Sequence, residues 1–331
     1  MIFRNVVWVV LLWWGAAGLA HADELRVRYE IDQRVSQMFN DRDYAALEQM
    51  AATFRDGNET SPSGLQKLTL FYSGVSKKME RSLRLGLTEP GLMQRIDDWQ
   101  TAYPNSPTSA IARAIALRNV AWHIRGGGYA ASVDSDAWAP FYAKLQEAEA
   151  VLVDAKNYAA IDAHWYIERA YVLTHQGAAP DAFADHMEEA LESHPGYYQL
   201  YFAAIEYLAP KWHGDALMIE DFAQEMTART RDVEGESLYA RIYWYVAQTQ
   251  YDDRLFQSSY VEWDQMRTGM MDVLARYPDQ WNIQNFAYFA CLAKDRDMLG
   301  RLLSRMDDQP IMRVWRRPEL LAYCRDMAAP L

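Results

Sequence analysis

Apolar residues recur every three or four positions along almost the whole chain. In DYAALEQMAATF, Tyr44, Leu47, Met50, Ala51 and Phe54 share one side of a helix; in ALRNVAWHI, Leu117, Val120, Ala121 and Ile124 do the same. Nowhere does a sustained alternation of period two, bounded by turn residues, mark a half-buried strand. The pattern predicts an all-α fold of about fifteen helices.

Short polar residues punctuate the apolar stretches. Ser61 before Pro62, Thr88 before Glu89-Pro90 and Ser106 before Pro107 place a hydroxyl where a helix opens, and Pro is tolerated in a first helical turn. Gly57, Gly86, Gly126 and Gly177 fall where helices end. Three phrases, MQRIDDWQTAYP, HMEEALESHP and GMMDVLARYP, are each an amphipathic helix closed by an aromatic residue or His and then Pro. Asp-Arg-Asp occurs in two short bends, at Asp41 to Asp43 and Asp295 to Asp297, where the last Asp is expected to cap the next helix. Helix, bend, helix, Pro is the grammar of tetratricopeptide-like arrays, here with unequal intervals. The expected architecture is antiparallel helical hairpins stacked as a degenerate tetratricopeptide-like α-solenoid over 23–331, with a soft subdivision near 134–138.

The first residues add a compartment. Arg4, an apolar run from Val6 to Leu19 and the small-x-small sequence Ala20-His21-Ala22 read as a signal peptide, 1–22, cleaved before Asp23. The processed chain is then expected to be periplasmic or secreted, with no stable membrane span. A formal net charge of −12 repels phosphate backbones and anionic headgroups, which argues against nucleic acid as a partner. Cys291 and Cys324 belong to no CxxC motif; in an oxidising compartment they are candidates for one disulfide, the other reading being two buried thiols. The load of 12 Trp and 21 Tyr suits the filling of helix–helix seams.

Three blocks resemble an uncharacterised bacterial family, the domain of unknown function 4034. The first has Trp99, Pro104-Asn105-Ser106-Pro107, Trp122 and Arg125-Gly126-Gly127-Gly128. The second, YYQLYFAAIEYLAPKWHGDALMIEDFA, has Lys211 and His213 where the family carries Arg and Gly. The third is NFAYFACLAKDRDMLGRLLSRM. The resemblance implies a tetratricopeptide-like helical fold and brings no activity with it.

Candidate chemistry is sparse. A phosphate loop needs glycines after a strand and a Lys-Ser or Lys-Thr opening the next helix. Gly126 to Gly128 instead follow a helical pattern, and Arg125 precedes them in its last turn, where a cation suits the helix dipole. The loop reads as a helix stop. No pair of His has helical ligand spacing, no HExxH or GxSxG occurs, and no cofactor is implied.

The polar-aromatic groups Trp122, Arg125, Tyr129 and Lys211, Trp212, His213 are of the types that anchor interfaces. The favoured function is an exported scaffold that binds a protein or peptide partner on a concave surface. Two alternatives accompany it: an envelope-acting enzyme with carboxylates and His between Glu206 and Asp215, and an immunity-type partner protein.

Overall fold

A helix needs partners for its first free N–H groups, and this chain supplies them from short polar side chains. Asp43, Thr88, Ser106, Asp162, Asp215 and Asp295 each accept a backbone N–H of the turn they open. The structure, a computed structural model, describes residues 24–212 and 214–329. The expected signal segment 1–22, with Ala20-His21-Ala22, and His213 lie outside the described residues.

The N-terminal half folds into α1 (Glu24–Asp41), α2 (Tyr44–Asp56), α3 (Lys67–Arg84), α4 (Glu89–Ala102), α5 (Pro107–Arg125) and α6 (Trp138–Ala159). Next come α7 (Ala163–Gln176), α8 (Pro180–Ser193), α9 (Tyr198–Leu208), α10 (Ala216–Glu234) and α11 (Ser237–Val246). The chain continues through α12 (Leu255–Ser258), α13 (Trp263–Arg276), α14 (Gln280–Leu292), α15 (Arg296–Leu303), α16 (Met312–Trp315) and α17 (Pro318–Ala328). Among the described residues the only extended pairing is an isolated bridge, Thr60 to Gln66. The fold is all-α, built of stacked antiparallel helical hairpins, and no helix of the described residues is long and apolar enough to cross a membrane.

Burial sorts the helices into two layers. In α14 every residue from Trp281 to Cys291 is buried, and α5, α7, α9 and α11 are nearly as enclosed. Such helices form the inner layer. The outer helices bury one stripe only, as α8 does with Phe183, His186, Met187, Ala190 and Leu191. α1, which buries one stripe, then α3, α5, α7, α9 and α11 pack in succession.

The array then meets its own beginning. Arg28 of α1 lies over the Trp281 ring of α14 at 5.4 Å. The Ser63 carbonyl accepts from Arg241 Nη2 of α11 at 3.0 Å and from Asn282 Nδ2 of α14 at 3.2 Å. Gly64 makes this approach possible: it sits at φ +89°, and a Cβ there would stand 2.6 Å from Arg241 Nη2 and from the Tyr277 ring.

Closure corrects one expected helix start. Ser61 does not open a helix; its N–H bonds to Leu65 O at 2.7 Å in a turn, and α3 begins only at Lys67. The turn is held instead by tertiary partners, since Ser63 N donates to the buried Glu24 at 2.9 Å. The Asp-Arg-Asp echo is also displaced. Asp43 caps α2 after Arg42 at φ 57°, but in the second copy the first Asp, Asp295, caps α15 after Lys294 at φ 59°. The shared device is a basic residue at positive φ followed by a capping Asp.

Gly126, at φ 77°, ends α5 and donates its N–H to Trp122 O at 2.8 Å. Residues 126–137 then cross to α6 through two short 3₁₀ turns, and α5 and α6 pack closely against each other. At the other end of the chain Cys291 of α14 is bonded to Cys324 of α17.

Candidate binding cavity

Four of the six expected anchors come together. Trp122 and Trp212 meet edge to face with ring centroids 6.2 Å apart. The Arg125 guanidinium lies between two indoles, 4.8 Å from the Trp122 centroid and 5.0 Å from that of Trp138, and its Nη1 donates to Gly126 O and Gly128 O. Lys211 Nζ pairs with Glu206 at 2.7 Å, and Trp212 Nε1 donates to the same carboxylate at 3.1 Å. Tyr129 stands apart, 92% exposed.

His175 joins this cluster from α7, a residue that sequence reasoning did not select. Its Nδ1 accepts from Trp122 Nε1 at 3.2 Å, and its ring is 5.1 Å from that of Trp212. Burial, and then Arg118, Lys211 and Arg125, hold its pKa well below the ordinary imidazole value, so it is neutral. The cluster is a half-buried seam between α5, α6, α7 and the α9–α10 loop.

The carboxylates considered for catalysis have structural partners. Glu206 holds Lys211 and Trp212, and Asp215 accepts from Leu217 N and Met218 N at the start of α10. Glu206 also accepts from Tyr245 at 3.5 Å, which joins the seam to a larger feature behind it.

That feature is a cavity of about 470 Å³ lined by residues of α1, α3, α9, α11 and α14, with α16 at its mouth. Its size falls in the range of sites that enclose small ligands. Phe202, Trp244, Tyr245, Trp281, Tyr288 and Phe289 form an aromatic wall. Phe202 and Tyr245 stack at 4.9 Å with planes 8° apart, so each ring fixes the orientation of the other. Among them Gln199, Asn285 and Ser73 offer hydrogen-bonding groups.

The charge balance of this wall inverts that of the chain. Arg28, Lys77, Arg241, Arg313 and Arg316 line it against Asp32 and Asp252 alone, in a protein of net charge −12. Arg28 is paired with Glu24, and Arg316 with Asp252 and Asp253. Arg241, 5% exposed, has no ion pair among the described residues.

The mouth is built from unusual backbone. After α11 the chain makes a π-helical turn, Ala247–Tyr251, a feature frequent at functional sites. Asp252 follows at φ 54° and ψ −128°, a region that suits glycine. Its partner Arg316 sits at φ 64° and ψ −43°, and the next N–H, of Arg317, bonds back to Trp315 O at 2.7 Å. This is the rare γ-turn of positive φ. Arg316 also lies over the Tyr288 ring at 5.6 Å, and Tyr288 donates to Asp253. Two strained residues therefore face each other as an ion pair at the rim.

None of the cavity residues was selected from sequence. A cue existed in QWNIQNFAYFACL, where Asn282, Gln284 and Asn285 interrupt a helix apolar on all sides, and in SLYARIYWYV, where Arg241 does. Polar groups in a fully buried helix need a partner or a cavity. Fold and cavity together define an array of stacked helical hairpins with a cavity between its inner helices. Comparison with protein-family models, with curated proteins and with solved structures found no match to this chain.

Proposed function

We propose that this chain is an exported helical-repeat scaffold that binds a protein or peptide partner, and that a short segment of the partner enters the inner cavity. One observation carries the reading. Five helices from both ends of the array converge on one cavity lined with aromatic rings, amides and guanidinium groups. Aromatic faces take apolar side chains, and amides pair with peptide N–H and C=O groups. The volume suits a few residues and excludes a folded domain. The Trp122–Arg125–Lys211–Trp212 seam lies behind the wall through Glu206 and Tyr245, so in this reading it supports the cavity and offers a secondary contact. Export is supported by the N-terminal pattern and by the Cys291–Cys324 bond, which suits an oxidising compartment. Membership of the domain-of-unknown-function family is proposed on the three sequence blocks alone.

Panning a random peptide library against the immobilised processed protein tests this. Ser73→Trp, which places an indole in the cavity from α3, serves as counter-selection after its fold is checked by circular dichroism. The expected result is a set of peptides that the variant binds about tenfold more weakly or worse. Enrichment of peptides that bind the two proteins equally would overturn the assignment of the cavity.

A further inference from the structure

We infer that the cavity recognises an anion attached to a flat apolar body, with Arg241 as the group that pairs with the charge. The inference rests on the reading of this cavity as the binding site and adds the chemistry of its occupant.

A buried guanidinium without a carboxylate is an unusual arrangement, because taking a charge from water is costly unless it is paired and hydrogen-bonded. Arg241 is the one buried Arg or Lys among the described residues, and its only hydrogen bond among them runs from Nη2 to Ser63 O at 3.0 Å. Its Nε has no partner. The faces of Tyr198, at 4.4 Å, and Tyr277, at 5.5 Å, hold the guanidinium plane in position. The phenol of Tyr198 in turn donates to Glu234 at 2.8 Å, which fixes that ring. The result is a cation oriented on two sides and lining the cavity on another.

The contrast with Arg118 of α5 is informative. Arg118 is satisfied internally by a bidentate pair with Glu168, at 2.5 and 3.0 Å. Arg241 lacks the corresponding carboxylate, and a ligand's carboxylate or sulfonate would supply it, in the fork geometry that arginine prefers. The rest of the wall describes what the anion is attached to. Trp244, Trp281 and the stacked Phe202–Tyr245 pair favour a flat ring. At the rim Arg313 and Lys77 are exposed and have no ion pair among the described residues, so they draw an anion toward the opening.

Two dyes with one aromatic body test the charge requirement: anionic anilinonaphthalene sulfonate and neutral N-phenylnaphthylamine, titrated into the processed full-length protein by fluorescence. The anionic dye is expected to bind one site, about tenfold or more tightly than the neutral one. Arg241→Met is expected to remove that preference and leave the neutral dye unaffected. Because Arg241 also ties Ser63 to α11, Arg313→Gln at the exposed rim provides a second variant, with an expected loss of about two- to threefold for the anionic dye only.

Displacement separates two peptide sources of such an anion. N-acetyltryptophan carries a chain-terminal carboxylate, and N-acetylglutamyltryptophanamide carries only a side-chain one. Displacement by either, with none by N-acetyltryptophanamide, supports the inference and names the source. Equal binding of the two dyes, or equal displacement by the amide, overturns the anion site while leaving the cavity as a binding site. Failure of both dyes to bind would instead remove the cavity reading itself.

Discussion

Trp122 and Trp212 pack edge to face with planes 81° apart, and His175 fills the angle between them while accepting the Trp122 indole N–H. Their contact joins the end of α5 to the loop after α9 across α7. Both rings are half-buried, so each is partly an internal strut. Trp212→Ala is expected to lower stability by about 2 kcal/mol, less than for a fully buried indole, as read by urea unfolding. Tyr129→Ala, at a nearly free side chain, is expected to stay within about 0.5 kcal/mol of the parent. Equal effects of the two substitutions would contradict the strut role.

Buried imidazoles give the fold an acid sensitivity. His186 is pushed down to about 4 by burial, partly opposed by its bond to Tyr166 O, and His164 to about 3 by burial and Arg118. In His186 the neutral ring fits its surroundings: Nε2–H donates to Tyr166 O at 2.9 Å and Nδ1 accepts from Arg169 Nη1 at 3.0 Å. A second proton would place Nδ1–H against a guanidinium. Below about 6.5 the unfolded chain takes up protons that the native state refuses, so stability present above that pH is lost as pH falls toward 4. The loss for His186 is roughly 3 kcal/mol across this window. Asp162, raised by burial, acts with the opposite sign near its ordinary range and offsets a little of this. Urea midpoints measured across the window should fall with acidification, and His186→Gln should flatten the slope.

The Cys291–Cys324 bond closes a loop that carries α15 and α16, and α16 with the residue after it supplies Arg313, Val314 and Arg316 to the cavity mouth. Cross-linking residues 33 apart removes chain entropy from the unfolded state worth about 3 to 4 kcal/mol. Cys291→Ser with Cys324→Ser is expected to lower the denaturation midpoint by an amount of this order. Ligand binding at the cavity should weaken as well, because the loop that positions α16 is freed. A melting curve indifferent to reductant would contradict this account.

Strain at the rim has a measurable sign. At Asp252 the backbone conformation costs a non-glycine residue about 1 to 3 kcal/mol, whereas its exposed pair with Arg316 returns about 1 kcal/mol or less. Asp252→Gly is therefore expected to raise the melting temperature or leave it unchanged, even though it deletes an ion pair. Asp252→Ala deletes the pair without relieving the backbone and is expected to lower the melting temperature. The order of the two variants in calorimetry is the test.

Much of the fold was legible in the sequence because it is specified locally. Thr88 and Ser106 cap α4 and α5 at the expected positions, since a hydroxyl next to a Pro-containing first turn satisfies orphan N–H groups without help from elsewhere. Gly126 ends α5 for a reason confined to its own φ. Ser61 misled because its segment is organised by Glu24, Arg241 and Asn282, residues remote in sequence that no local pattern reveals. The pairing of Trp122 with Trp212 was hinted at only by residue type. Its geometry required α7 to lie between their helices and deliver His175.

The periodicity of apolar residues alone determined that the fold is all-α, because a stripe every three to four residues can be buried only by a helix laid against another. The same pattern separates one-sided outer helices from α14, apolar throughout except for its amides. Where the last inner helix would arrive was settled in three dimensions. The small rotations between successive hairpins sum along the array, and no single hairpin encodes the total. Here the sum brings α11 and α14 back to the Ser63 turn. This return leaves a cavity between helices from the two ends of the array, and a guanidinium in an apolar helix lines it without a counter-charge among the described residues.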